Sequence, residues 1–544
     1  MAKTLNLREL LEQRAAERAE EIFLFSEADG RTWTFAELDK AVNRTANLLK
    51  GNGIRKGDVV SLLMPNSAEY IIAYFACFKL GALAGPVNSL LKAEEIQYVV
   101  NNSEAKLILV GSEFKENIDQ LSRQRESAMR SEPGVSSPPA RGGVAAASAD
   151  GVVGVATATG SSGFPLAILF DNVDIAAKDQ SDELDPIELT AEDDAIIIYT
   201  SGTTGKPKGC LLTHGNVIAN ARQITEWLGF SEKDRLLTIM PLFHMNAVSV
   251  TTMTPLYAGG SSVVSPKFSA SKFWQIISGY KITSFGSVAT MLSMLLQKYP
   301  GGVPENFDTA QLRFAMCGSA PVPAEVMKKF EETFDCPVIE GYGLSESTCR
   351  STFNPPGEDR RAGSCGKPIG NEMAVFDEED RPVPDGELGE IVLRGDNIFK
   401  AYFKNEEATE KAFRNGWFHT GDIGYRSSDG FFYIADRKSD MIIRGGENIY
   451  PREIDELLFS HPAVASAAVI GVPDELYGEE VAAFVVLKDG AEITEDEVMN
   501  FCHERLADFK CPKSVHFLKD IPKGPTGKLL KRELARMFKE NKIS

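Results

Sequence analysis

The stretch YTSGTTGKPKG, Tyr199–Gly209, overlaps the apolar run AIIIYT, Ala195–Thr200, and is followed by THGNVIANARQITEWL, Thr213–Leu228. The apolar run reads as a buried strand, and Val217, Ala221, Ile224 and Trp227 give the later segment one apolar helical face. Between them, glycines such as Gly202 and Gly205 let backbone N–H groups approach an anion closely. Thr200, Ser201, Thr203 and Thr204 add hydroxyl donors, and Lys206 and Lys208 add charge. Each charged hydrogen bond to phosphate contributes about 1.5–3 kcal/mol. Two familiar phosphate patterns fail. The nucleotide-kinase loop needs a hydroxyl after Gly-Lys, and here Pro207 follows Lys206. The dinucleotide pattern G-x-G-x-x-G is absent from the loop, which removes the main support for nicotinamide binding. Taken alone, the stretch reads equally as a phosphate cradle or as a plain surface turn.

The rest of the chain narrows the choice. Its 544 residues are 43% hydrophobic and 25% charged, an ordinary globular composition with room for two or more domains. A net charge of −19 argues against nucleic acid as a partner, because polyanion binding wants a basic face. Eight cysteines lie between Cys77 and Cys511 without C-x-x-C pairs or histidines at ligand spacing. That pattern speaks against a zinc site or a disulfide framework and favours the cytoplasm. The N-terminal MAKTLNLRELLEQRAAERAEE lacks the apolar core of a signal peptide. The longest apolar run, Tyr70–Phe78, is too short to span a bilayer and ends at Lys79, so no transmembrane segment is expected.

Strand and helix patterns alternate through residues 1–120. DVVSLLM and AKLILVG read as strands, and SAEYIIAYFACFKLGA reads as a helix capped by Ser67. Such alternation implies parallel sheets with crossover helices. Residues 126–168 are dominated by small residues without a period and read as a mobile surface insertion. Alternation resumes at Asp194 and continues past residue 430. EMAVFDEEDRPVPDGELGEIVLRG, Glu372–Gly395, reads as strands and turns of a β-rich subdomain. Beyond Arg437 the segments VASAAVIGV, EEVAAFVVLK and SVHFL are strand-like, and LLKRELARMF is helical. TEDEVMNFCHERLADF has a capping box, Thr494 with Glu497, and sets Val498, Phe501, Cys502 and Phe509 on one face.

Four further stretches follow the first in order: GYGLSES (Gly341–Ser347), WFHTGDIG (Trp417–Gly424), DRKSDMIIRGGENIYPREID (Asp436–Asp455) and PTGKLLKREL (Pro525–Leu534). The set resembles the adenylate-forming superfamily of acyl-CoA synthetases, peptide-synthetase adenylation domains and luciferases. It covers nearly the whole chain apart from residues 126–168. The resemblance implies an α/β fold. A large N-terminal domain of helix-packed sheets with a β-rich subdomain would occupy residues 1–438. A small mobile α+β lid would occupy residues 439–544.

It also implies roles. The loop Thr200, Ser201, Gly202, Thr203, Thr204, Gly205, Lys206 and Lys208 would grip the β- and γ-phosphates of ATP. Glu346 would bind Mg²⁺, which needs few protein carboxylates when phosphates supply oxygens. Tyr342, between Gly341 and Gly343, would lie beside adenine. Ser345 stands where threonine is common and would reach the α-phosphate. Asp422 and Arg437 would contact the ribose. Gly318, Ser319 and Ala320 would form the strand edge along adenine and the acyl carbonyl. Lys528 would bridge carboxylate and α-phosphate oxygens as the main catalytic cation. The lid would turn about Ser439, an atypical residue at that place, and bring Gly445, Gly446 and Glu447 to the coenzyme A path. His244 matches a position near the acyl group, read as gating or acyl contact rather than metal binding.

The acyl pocket is expected from His244, Asn246, Ser249, Ser287, Val288, Met291 and Gly341. No lysine or arginine stands in these pieces, which favours an apolar fatty, alicyclic or aromatic acid. The expected activity is an ATP-dependent carboxylate–CoA ligase that forms acyl-AMP with release of pyrophosphate and then acyl-CoA with release of AMP. No carrier domain follows the lysine motif in this sequence, so coenzyme A is preferred as acceptor. The alternatives are a stand-alone adenylation enzyme loading a carrier protein, a luciferase-like oxygenase, and a nucleotide sensor without catalysis. A homodimer is compatible with the sequence, which does not fix the oligomeric state. Replacing Lys528 by Ala should abolish acyl-AMP formation while sparing thioester formation from supplied acyl-AMP. Equal loss of both half-reactions in separate assays would contradict that division.

Overall fold

Residues 5–121, 165–200, 207–318, 322–523 and 529–540 are described in the computed structural model of this chain. Among them are two seven-stranded sheets. In one, Val338–Glu340, Phe314–Cys317, Ser284–Ser287, Arg235–Thr238, Ser261–Val264 and Ile22–Ser26 run parallel in that order, and Thr32–Thr34 closes the edge antiparallel. In the other, Asp194–Thr200, Leu83–Pro86, Val59–Leu63, Leu107–Val110 and Leu166–Leu169 are parallel neighbours. Lys208–Thr213 returns antiparallel beside Asp194–Thr200, and Ala401–Tyr402 adds to its far side.

The helix Ala68–Leu80 explains how the two sheets stack. Apart from Glu69 and Lys79 it is apolar, every residue in it is buried, and its core contacts include residues of both sheets. Ser67 accepts a hydrogen bond from the Tyr70 N–H at its start, and Gly81 ends it in the left-handed conformation. Lys79, 1% exposed, is neutralised by Asp39 at 2.6 Å and accepted by Asn43 at 2.8 Å. Strand residues then alternate between cores, as the period of two requires. Val60 and Leu62 face the shared layer, while Val59 and Leu63 face the helix Ala93–Asn102. Phe285, Ala315 and Val338 face the outer helices that carry Leu292 and Phe330.

Beyond these layers stands an antiparallel five-stranded sheet, which includes Glu372–Phe376, Gly389–Arg394, Trp417–Arg426 and Phe432–Arg437. The small C-terminal domain has its own five-stranded sheet, with separate apolar clusters on its two faces. Its first helix, Pro451–Phe459, docks on the larger domain. The Arg452 N–H donates to Asp436 Oδ2 at 2.7 Å, the Arg452 guanidinium donates to the Ile434 carbonyl at 2.6 Å, and Phe459 packs on the outer helices. The α/β class with a large and a small domain therefore stands as expected.

Three details differ from the sequence reading. The segment 165–168, counted within the insertion, contributes to the strand Leu166–Leu169, whose LAIL pairs with the LILV of Leu107–Val110. The remainder of 126–168 lies outside the described residues. The glycine-rich loop joins two antiparallel strands, with Thr200 opposite Lys208, and the helix His214–Leu228 starts only after the second of them. The capped helix Glu495–His503 ends early, so Phe509 sits in a separate short turn, Asp508–Lys510.

Candidate active site

The parallel strands Ser284–Ser287, Phe314–Cys317 and Val338–Glu340 end side by side, and the segments that leave their C-terminal ends form one wall of a cleft of about 820 Å³. Val288, Gly341, Tyr342 and Gly343 line it. The glycines permit close approach: a side chain on Gly341 would collide with the Phe353 ring, and one on Gly343 with the Cys349 carbonyl. On the opposite side stand Asp422 and Arg437, direct partners across the antiparallel strands Trp417–Arg426 and Phe432–Arg437.

Asp422 is 4% exposed and takes a hydrogen bond from the Tyr342 hydroxyl at 2.6 Å and an ion pair from Arg437 Nε at 3.2 Å. Asp422 in turn holds the Arg437 guanidinium above its ordinary pKa. A carboxylate accepts about four hydrogen bonds, so this one keeps capacity for two more donors. The small domain closes the cleft with Asp455, Lys523, Leu529 and Lys531, and Lys531 is ion-paired to Asp455 at 2.6 Å.

Glu346 lies in the short turn Ser345–Ser347, which also carries Ser345. It is buried, and burial pushes its carboxyl pKa up. Its donor is the Tyr402 hydroxyl at 2.9 Å. Tyr402 pairs with Cys210 beside the loop-bearing hairpin, and Lys208 Nζ stands 5.2 Å from its ring. Lys208, opposite Thr200 in the hairpin, thus stands over the same tyrosine that donates to Glu346. Thr348, a β-branched residue at φ 63°, holds this turn in a strained conformation with its hydroxyl bonded to the Asn397 carbonyl. Among the described residues no group of three or more His, Cys, Asp or Glu side chains could hold a metal ion. A buried carboxylate with one phenol donor fits a cation whose remaining ligands are phosphate oxygens and water.

The acyl-pocket candidates divide. His244 is half-buried, with its Nε2 atom buried and unpartnered among the described residues, and desolvation lowers its pKa to about 4, which leaves it neutral near pH 7. Asn246 opens the π-helix Asn246–Met253 with both amide atoms unpartnered among the described residues. Ser249 and Ser287 bond instead to the scaffold, through Asn220 Oδ1 at 2.9 Å and the Met316 carbonyl at 3.0 Å. Met291 packs partly buried between two apolar clusters. Gly318 directly follows the strand Phe314–Cys317.

Gly445, at φ 58°, and Gly446, at φ 92°, turn an exposed hairpin tip with Glu447, and they do not line the cleft. Ser439 lies between the two domain sheets and donates to Asp440 Oδ1 at 3.0 Å. Ser201, Gly202, Thr203, Thr204, Gly205, Lys206, Ser319, Ala320 and Lys528 lie outside the described residues. Residues flanking Lys528 bring that segment's ends to the cleft, since Lys523 and Leu529 bridge one another and both line it.

The AMP-binding enzyme family description matches residues 11–403, and its C-terminal domain matches residues 453–528. The chain belongs to the AMP-binding enzyme family. It is 34% identical over 534 residues to the sulfoacetate–CoA ligase of Cupriavidus necator, with 96% of each chain covered. It is 35% identical over 509 residues to a long-chain-fatty-acid–CoA ligase of Mycobacterium tuberculosis, with 93% of each covered. Its fold superposes with a TM-score of 0.80 and 33% identity on the o-succinylbenzoate coenzyme A synthetase of Bacillus subtilis in complex with ATP and magnesium ion, covering 96% of this chain and 98% of that one. The expected place among acid–thiol ligases that form AMP holds.

Several site neighbours escaped the sequence reading: Tyr402, Asn220, Arg350 and Glu340. The last two flank the GYGLSES stretch, which was the available signal. Glu340 is 5% exposed, accepts from the Val322 N–H at 3.2 Å, and leaves Oε2 unpartnered among the described residues. Burial raises its pKa to about 7, against an opposing effect of Arg452. Its folded value lies above the unfolded one, so its contribution to stability is full in acid and is lost as pH rises toward 7. Glu340→Gln should therefore gain about 2 kcal/mol over the parent between pH 5 and pH 8 in urea unfolding. Parallel stability curves would contradict this.

Proposed function

We propose that this member of the family is an ATP-dependent carboxylate–CoA ligase working in two steps. A carboxylate oxygen of the acid attacks the α-phosphorus of ATP, the bond to the β-phosphate bridging oxygen breaks, and pyrophosphate leaves. The coenzyme A thiol, losing its proton to solvent, then attacks the acyl carbonyl, and AMP departs with the oxygen the acid supplied. The observation that carries this reading is a cleft in which Tyr342, Asp422 and Arg437 face residues of the small domain.

In this reading Asp422 and Arg437 hold the ribose hydroxyls, Tyr342 lies along adenine, and Ser345 reaches the α-phosphate. The Thr200–Gly209 loop holds the outer phosphates, and Glu346, oriented by Tyr402, holds Mg²⁺. Bound Mg²⁺ would neutralise phosphate charge as pyrophosphate leaves. Lys528 steadies the first transition state, because a cation aimed at developing charge in a water-poor site acts more strongly than in solution. The small domain then turns about Ser439, at a boundary between residues 438 and 439, and presents Gly446 toward the thiol path. The chain's eight cysteines, all buried free thiols, suit the reducing cytoplasm.

The acid is the finer question. The relatives' names include both an acid with a second acidic group, sulfoacetate, and long-chain fatty acids with none. The apolar acid expected from the sequence rests on pocket segments without a cation, and Arg350 stands outside those segments.

The test is AMP release from ATP with a panel of carboxylic acids, in the presence of coenzyme A or of a phosphopantetheinyl carrier protein. Release should require ATP, Mg²⁺, one class of acid and coenzyme A. Glu346→Gln, which keeps the size and loses the charge, should lower it about 100-fold or more. AMP release without any acid, or full activity in the variant, would contradict the reading.

A further inference from the structure

Arg350 is the largest fully buried charged side chain among the described residues, and the proposed reaction does not use it. It is 1% exposed and makes no ion pair among the described residues, although its charge acts from a distance on the buried carboxyl of Glu340. Its Nε and Nη2 have no hydrogen-bond partner among them either. Its guanidinium lies 5.5 Å from the Phe353 ring, a contact that leaves the in-plane N–H groups free. Burying a cation without a partner is strongly unfavourable, and apolar residues of similar volume fill such places better.

The backbone beneath this cation is held from two sides. Asn220 Nδ2 donates to the Arg350 carbonyl at 2.7 Å, and Asn220 Oδ1 accepts from the Arg350 N–H at 3.3 Å. Asn397 Nδ2 adds a second donor to the same carbonyl at 3.2 Å. A rigid mount carrying an unpaired fork is the arrangement of a binding group rather than of a filler.

The fork stands behind the cleft wall, and Arg350 and Asn246 are not themselves among the residues that line the cleft. A Cβ placed on Gly318 would lie 2.7 Å from both Nη atoms and 2.6 Å from the carbonyl oxygen of Gly341, a residue that lines the cleft. On the adjacent strand, a Cβ on Gly286 would lie 2.9 Å from Asn246 Oδ1. Gly286 pairs with Met316, two residues before Gly318, so the free amide of Asn246 and the free guanidinium of Arg350 stand over neighbouring strand ends. His244, two residues before Asn246, adds its unpartnered Nε2.

We propose that Arg350, assisted by Asn246, is the specificity determinant of this enzyme and binds a second anionic group, carboxylate or sulfonate, on the acid that is activated. The planar fork matches either oxyanion with two parallel hydrogen bonds. A monoacid would leave buried donors unpaired, the situation in which binding sites discriminate most strongly. The proposal rests on the ligase reading above.

The experiment compares kcat/KM for AMP release between acids of matched length: malonate and sulfoacetate against propanoate, and succinate against butanoate. At least one dianionic acid should exceed its monoanionic match by about 100-fold or more. Malonate against sulfoacetate identifies which oxyanion is preferred. Arg350→Met should erase or invert that ratio while leaving ATP affinity within about two-fold, and Arg350→Lys, which keeps charge without the fork, should fall between. A parent enzyme that prefers the monoacids, or a variant that keeps the parent's ratio, overturns the proposal. If neither these acids nor fatty and aromatic acids support AMP release, the ligase reading itself has failed. Thermal unfolding of the full chain with malonate or sulfoacetate then decides the anion site: stabilisation of the parent and not of Arg350→Met supports it, and equal response overturns it.

Discussion

Asp422 lies buried between the Tyr342 hydroxyl and the Arg437 guanidinium, and the rest of the site is organised around that contact. Tyr342 belongs to the turn leaving a parallel strand of one seven-stranded sheet, whereas Asp422 and Arg437 face each other across the antiparallel sheet. One carboxylate thus fixes the angle between two layers that share no strand. The residue just before Arg437 matters as much. Asp436, beside Arg437, caps the first helix of the small domain through the Arg452 N–H. A group paired with Asp422 and a group that holds the small domain therefore occupy consecutive positions of one strand.

The electrostatics of the site stand against a chain that is acidic overall, at −19. Local cations supply what the whole lacks: Arg437, Lys208 and the lid's Lys531 gather at or beside the cleft, and Lys528 belongs to the same segment as Lys531. The acids there divide by partner. Asp422 has two donors, Glu346 has one phenol, and Glu340 has one backbone N–H. Burial raises the pKa of Glu346 and Glu340 because neither contacts a cation directly. For Glu346 that deficit is one a bound metal ion would meet.

Most of the architecture was legible in the sequence, and for physical reasons. The all-apolar Tyr70–Phe78 run could be satisfied only by burial on every side, and it became the helix between the two sheets. Thr494 and Glu497 announced a helix start by chemistry that needs no tertiary context. Gly341, Tyr342, Asp422 and Arg437 could be picked out because their motifs are contiguous and resemble a family. Tyr402, Asn220 and Arg350 were not legible, since each acts through a partner at least 55 positions away: Glu346 for Tyr402, and the two ends of the same clamp for Asn220 and Arg350. The end of the helix after His503 and the edge strand Leu166–Leu169 depended likewise on neighbours that a linear pattern does not contain.

The central claim is that the acid's own oxygen attacks the α-phosphorus of ATP within this cleft. Mass spectrometry of AMP and pyrophosphate after turnover of a carboxylate labelled with ¹⁸O at both oxygens tests it directly. The account predicts one labelled oxygen in AMP and none in pyrophosphate. Label in pyrophosphate or inorganic phosphate, or AMP without label, would contradict it.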